Sequence, residues 1–223
     1  MAQRSEADTD QAAGSGDHQV PDAEAASLAN ALVSGTSATS VEQYVEQLVQ
    51  PHVTSATDQA AHVLEALAQI KPELLAPHIE RLVKHLDSPH IPVAQCCAHC
   101  LPALARVTPA KVAKQLKAMQ AALPNAPPIA KDGLVRTFVA LCVASVTYQK
   151  RLIDSFELAL RTAQPEQLPS WAEHILPALK GEPYAQARSV VEHRLPEPQI
   201  PREIAQRVAD FLGVKLRPLP DRK

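Results

Sequence analysis

The stretch AHVLEALAQIKPELLAPHIERLVKHL, residues 61–86, returns 37 residues later as AHCLPALARVTPAKVAKQLKAMQAAL, residues 98–123. Val63, Leu64, Leu67, Ile70, Pro72, Leu75, Ile79, Leu82 and Leu86 recur as Cys100, Leu101, Leu104, Val107, Pro109, Val112, Leu116, Met119 and Leu123. The first half of each copy spaces its apolar residues at i, i+1, i+4 and i+7, the stripe of an amphipathic helix. Pro72 and Pro109 then open a second helix at a position where the missing N–H costs nothing. A unit of this length is a helix pair that cannot bury its apolar face alone and must stack on a copy of itself. The spacing predicts an all-α chain, an α-solenoid of about five antiparallel helix pairs.

Working outward, the first pair begins near Thr57 and runs to Ile70, then from Pro72 to Leu86, with Asp87-Ser88-Pro89-His90 as link. The second is expected at Pro92–Arg106 and Pro109–Leu123, with Thr108 as N-cap. In the third, Val139, Val143 and Val146 echo Cys100, Leu104 and Val107 at an offset of 39. Its helices are expected over Ile129–Val146 and Gln149–Arg161, with Ile153, Phe156 and Leu160 facing inward. Between Ala163 and Leu212, seven prolines divide the chain into short helices near Leu168–Leu179, Pro183–Arg194 and Arg202–Leu212. They suit a terminal cap.

Upstream, Ser40 with Gln43 three residues on is a capping-box pattern. It starts a helix that buries Val41, Tyr44, Val45 and Leu48 and stops before Pro51. Residues 1–39 are expected to be a disordered acidic tail with a marginal helix at Ala25–Val33. Residues 40–213 form the repeat domain, strongest at 57–161, and 214–223 a basic tail.

Composition narrows the function classes. Hydrophobic residues reach 46% but aromatics only 3%, so the apolar mass is Leu, Ala and Val. That suits close helix packing and disfavours surfaces that stack bases or sugars on rings. The net charge of −2 divides into −5 over residues 1–25 and +3 over the rest. No run approaches the length of a membrane span, and the first residues lack the apolar core of a secretory signal. Three of the four cysteines crowd one helical turn, which is not a disulfide framework. A cytoplasmic, or alternatively nuclear, location is expected.

With these residues, the chain resembles the HEAT-repeat family. The segments Ala61–Leu86 and Ala98–Leu123, the turn prolines Pro72 and Pro109, the inter-repeat Asp87 and the following Val93 carry the resemblance. The arginine that many such units place after the valine is Ala94 here. The resemblance implies a curved stack of helix pairs, second helices on the concave side, and a binding or scaffolding role.

Cys96, His99 and Cys100 stand at i, i+3 and i+4, the spacing of a shared metal, but a structural zinc site needs a fourth ligand. Cys97 and Cys100 also fall on the apolar stripe with Val93, Leu101 and Leu104, where free cysteine behaves as a small hydrophobe. Neither metal nor cofactor is expected. Glu173-His174 and Glu192-His193 have the reverse order of the iron-ligating His-Glu pairs of HEAT-like hydroxylases. Trp171 is read as a packing anchor. Lys111, Lys114 and Lys117 recur at i+3 opposite the stripe Val112, Leu116, Met119 and Leu123. In the same frame Arg81 and Lys84 point outward before them, and Arg151 and Arg161 after them.

The expected function is therefore a non-catalytic scaffold or adaptor. Its candidate contact residues are Arg81, Lys84, Lys111, Lys114, Lys117 and Arg151, and its expected partner is an acidic protein segment. The alternative is a HEAT-like enzyme or nucleic-acid processing protein, such as the alkyl-purine glycosylases of that architecture. It needs a groove acid ringed by aromatics.

Overall fold

A computed structural model of the chain describes residues 19–216. The described residues form twelve α-helices and two 3-10 segments, with no strand. Residues 1–18 and 217–223, and with them part of the expected acidic tail and most of the basic one, lie outside the described residues. Helix α1 spans Gln19–Ser34, so residues 19–24, read from sequence as tail, are helical.

Helix α2 (Val41–Leu48) opens with the expected capping box. Gln43 N–H donates to Ser40 Oγ at 3.2 Å, and Ser40 N–H to Gln43 Oε1 at 2.8 Å. Helix α3 (Ser55–Ile70) ends where Lys71 leaves helical geometry, and Pro72 begins the next element. That element is a 3-10 segment, Pro72–His78, followed by α4 (Ile79–Lys84). Pro77 supplies no N–H to the ladder, so the expected single helix begins as tighter turns. Helix α5 (Ile91–Val107) precedes α6 (Pro109–Lys114) and α7 (Leu116–Ala122). Between the last two, Gln115 N–H bonds back three residues to Val112 O, which tightens one turn.

Helix α8 (Pro128–Ala144) stops two residues short of expectation, because Ser145 is extended and its hydroxyl caps a 3-10 turn at Val146–Tyr148. Helices α9 (Gln149–Thr162), α10 (Leu168–Ala178), α11 (Gly181–Arg194) and α12 (Arg202–Leu212) complete the chain. Gly213, with φ of 68°, closes α12 in the left-handed conformation that glycine adopts without steric cost.

Packing follows the chain order. Helices α1, α3, α5, α8 and α10 touch in succession, and α12 packs on α10. On the other side α2 meets the first 3-10 segment, α4 meets α7, and α9 meets α11. The core is the apolar interior shared by these neighbours. Val63, Leu64, Leu67, Leu75, Leu82 and Leu86 are buried, as are their copies Cys100, Leu101, Leu104, Val112, Met119 and Leu123. Ile70 and Val107 are not core residues: they are 44% and 40% exposed, because each is the last residue of its helix and the chain turns away there.

The third pair departs from expectation more instructively. Val143 and Val146 are 73% and 64% exposed, and Val139 is half-buried. The buried residues of α8 are Leu134, Val135, Phe138, Leu141 and Cys142. These lie 37 residues after Cys97, Ala98, Leu101, Leu104 and Ala105, all buried on α5. The offset of 39 was wrong by two residues, a rotation of about 200° that exchanges the faces of a helix. The same 37-residue step carries Leu134, Val135 and Phe138 onto Trp171, Ala172 and Ile175 of α10.

Side chains tie successive pairs to one another's main chain. Cys96 Sγ donates to Ala61 O at 3.4 Å, and Cys100 Sγ to Leu64 O at 3.6 Å. Gln120 Nε2 reaches Arg151 O at 3.0 Å, and Gln149 Nε2 reaches Ala178 O at 2.9 Å. Arg194, buried, donates to Leu160 O at 2.7 Å and Ala163 O at 2.8 Å. No described helix is long and apolar enough to cross a membrane.

Candidate functional site

A groove of about 1320 Å³ is lined by α3, α5, α8 and α10. It is built from repeat-equivalent positions. Ala66, Ala103 and Ala140 are 37 residues apart and line it on three successive helices. Ending at Cβ, they leave the depth that larger side chains would fill. Two flanking rows complete the surface: Glu65, Pro102 and Val139 on one side, Gln69, Arg106 and Val143 on the other.

The α10 end is polar and ordered. Trp171 Nε1 donates to Asp132 Oδ1 at 2.9 Å, and Arg136 Nε donates to Asp132 Oδ2 at 2.7 Å. The Trp171 side chain is thereby fixed across the α8–α10 contact, and the residue is only 2% exposed. At the α3 end, His99 Nδ1 faces Glu65 Oε1 at 3.4 Å. Arg106, exposed on the last turn of α5, makes no ion pair among the described residues.

None of the six sequence-derived contact residues lines this groove. Arg81 is paired with Glu42 of α2, whose other carboxylate oxygen lies 3.2 Å from His78 Nδ1. Its charge ties α2 to α4. Burial holds the His78 pKa below its ordinary value against the opposing pull of Glu42. Lys84, Lys111, Lys114, Lys117 and Arg151 are exposed on α4, α6, α7 and α9. The 37-residue register puts the exposed Glu80 and Asp154 in one row with Lys117, so acids flank the middle of the ridge. Arg161 pairs with Glu157 at 3.0 Å.

The cysteine cluster is interior. Cys96, Cys97 and Cys100 are fully buried, and the Cys96 and Cys100 thiols are aimed at α3 carbonyls while His99 turns to Glu65. The Cys96 thiol is held well above its ordinary pKa, first by its hydrogen bond with Cys100 and then by burial. Burial does the same to Cys97 and pushes Cys142 up to about 12. Thiols so disfavoured as thiolates are poor nucleophiles and poor metal ligands. Among the described residues, no three His, Cys, Asp or Glu side chains are grouped to hold a metal ion.

The Glu-His dipeptides are split by their partners. Glu173 takes both Arg207 Nε and Nη2, at 3.0 and 2.9 Å, while His174 Nδ1 faces Ser170 O. Glu192 bonds Arg188, and His193 Nδ1 lies 2.7 Å from Ser189 O. Sequence reasoning missed the groove because it placed the contact surface on the second helices. The signal that could have found it is the alanine recurring at 66, 103 and 140. No family model, curated protein or solved structure matches the chain.

Proposed function

We propose that this chain is a non-catalytic scaffold built as a HEAT-like solenoid, and that it holds a partner protein in the groove along its first helices. The observation that carries this is the groove itself: a repeated alanine floor beside a 73% exposed Val143 and an Arg106 with no ion pair among the described residues. An apolar surface left open to water and rimmed by polar groups is the usual mark of a protein contact. The solenoid reading draws support from the 37-residue register, which runs through four consecutive first helices that touch in succession.

The glycosylase-like alternative needs a free carboxylate and open ring faces. The groove's aromatic residue, Trp171, is buried, and both oxygens of the adjacent Asp132 are engaged. The basic ridge remains the competing contact surface.

The test is quantitative affinity capture with three proteins: wild type, Val143→Asp, and the Lys111→Glu, Lys114→Glu, Lys117→Glu triple variant. The proposal expects binders lost with Val143→Asp and retained by the triple variant. The reverse pattern would move the partner to the ridge, and identical capture by all three would refute both surfaces.

A further inference from the structure

The first helices of the pairs run parallel, so their last turns gather on one edge. Cys96 and Cys100 meet Ala61 and Leu64 in the same order along α5 and α3. Arg106 and Val143 line the groove together near the ends of α5 and α8. Trp171 meets Asp132 near the starts of α10 and α8. Beyond their far ends Gln149 holds both Ala178 O, at 2.9 Å, and Lys180 N–H, at 3.1 Å. The turns at 70–72, 107–109, 144–149 and 179–181 therefore stand in one row.

This edge combines two kinds of side chain. Ile70, Val107, Val143 and Val146 are exposed on its first three turns. Within three residues of the four turns stand Lys71, Arg106, Lys111, Lys150, Arg151 and Lys180, all exposed, against two acids, Glu73 and Glu182. None of these cations has an ion pair among the described residues. The opposite edge differs. Its links, 85–90, 123–127, 163–167 and 195–201, hold Asp87, Glu166 and Glu197 and no lysine or arginine. The stack is thus polarised, with positive charge and aliphatic tips on one edge and negative charge on the other.

That pairing of features selects the occupant. A nucleic acid meets the cations but offers nothing to exposed aliphatic side chains, and the edge's own ring, Tyr148, is half-buried against the core rather than free to stack. A bilayer with anionic headgroups offers both, charge at its surface and an apolar layer just beneath. We infer that the turn edge docks on an anionic lipid surface, its cations against the headgroups and Ile70, Val107 and Val146 entering between them. The contact is peripheral and needs no spanning helix. Ile70 and Val146 do not line the groove, so this surface is separate from the one proposed to hold a protein.

The experiment is co-sedimentation of the full chain with vesicles of phosphatidylcholine, alone or with about one-third phosphatidylserine, at low and high salt. Binding is expected to the mixed vesicles only, and to fall steeply with salt. Lys71→Glu, Lys150→Glu and Lys180→Glu together should weaken it at least tenfold. Lys84→Glu, Lys117→Glu and Arg161→Glu change the net charge equally but lie off the edge, and should weaken it far less. Val146→Asp should weaken binding, while Val146→Trp should strengthen it and give fluorescence quenched by brominated acyl chains. No binding to the mixed vesicles, equal loss in the two triple variants, or a Trp at 146 that brominated lipid does not quench would each overturn the inference. Capture of an acidic protein by the same cations, without vesicle binding, would overturn it too. Protein capture through the groove that Val143→Asp abolishes is independent of all these outcomes, so the scaffold proposal and this one fail separately.

Discussion

Gly133→Ala tests how closely α5 and α8 approach. A Cβ at Gly133 would lie 2.5 Å from Ala98 O, 2.7 Å from Ala98 C and 2.8 Å from Ala98 Cβ. Two of these atoms are main chain, so no rotamer change relieves the contact. Reaching an ordinary separation requires the helices to part by ~0.9 Å, through an interface that holds Leu101, Leu104, Leu134 and Phe138 in close packing. Overpacking of this kind costs about 1–3 kcal/mol, against about 1 kcal/mol gained by replacing glycine with alanine inside a helix. Because main-chain atoms must part, the cost falls in the upper half of that range, about 2–3 kcal/mol, and the expected net loss is about 1–2 kcal/mol, a fall in Tm of roughly 2–8 °C for a chain of this size. Thermal and urea unfolding followed by circular dichroism measure it. Adding Ala98→Gly removes only the Cβ contact and should restore less than half. A single variant that melts at or above the wild type would refute the close approach.

Three further outcomes are expected. Leu104→Asp places an unpaired charge at a fully buried position and should unfold the chain at a cost of several kcal/mol. Val143→Asp, at the exposed position once paired with it by the wrong offset, should stay within about 0.5 kcal/mol of wild type; equal loss in both would invert the assigned faces. Arg194→Met should cost about 3 kcal/mol by stranding Leu160 O, Ala163 O and Glu197, and an unchanged urea midpoint would remove Arg194 as a tie between pairs. His78, its pKa lowered in the folded chain by burial, should make stability fall as pH drops below about 6.5. There the unfolded chain takes the proton first, and the loss levels off below the folded value. His78→Gln should flatten the urea midpoint between about pH 7 and pH 5 relative to wild type; parallel curves would show that Glu42 cancels the effect of burial.

Most of the helix layout was legible because proline and periodicity mark it. The capping box at Ser40 and Gln43, the starts at Pro72 and Pro109, and the last three helices all lie within a few residues of expectation. The phase of α8 was not legible from its own composition. It carries apolar residues on both faces, with Val139 and Val143 opposite Leu134 and Phe138, so two offsets fit the pattern. Only packing on α5 decides between them. The groove was hidden for a related reason. Its floor is alanine, which a sequence presents as helix former rather than as an absence of bulk. Its polar groups, Trp171 with Asp132 and His99 with Glu65, are distant in sequence and meet only across helices. The lysine ridge was visible because like charges at i+3 stand out, whereas the pairing of Arg81 with Glu42 depends on where α2 comes to rest.

The side-chain ties between pairs carry a consequence for how such a chain can change over time. Cys96, Cys100, Gln120, Gln149 and Arg194 all bind carbonyl oxygens of a neighbouring pair. A carbonyl is the same whichever residue bears it. One side of each seam is therefore indifferent to substitution, and a pair can drift in composition without losing its neighbour's grip. That lets Lys114 become Arg151, or Leu141 become Ala178, at carbonyl-bearing positions while the 37-residue step survives.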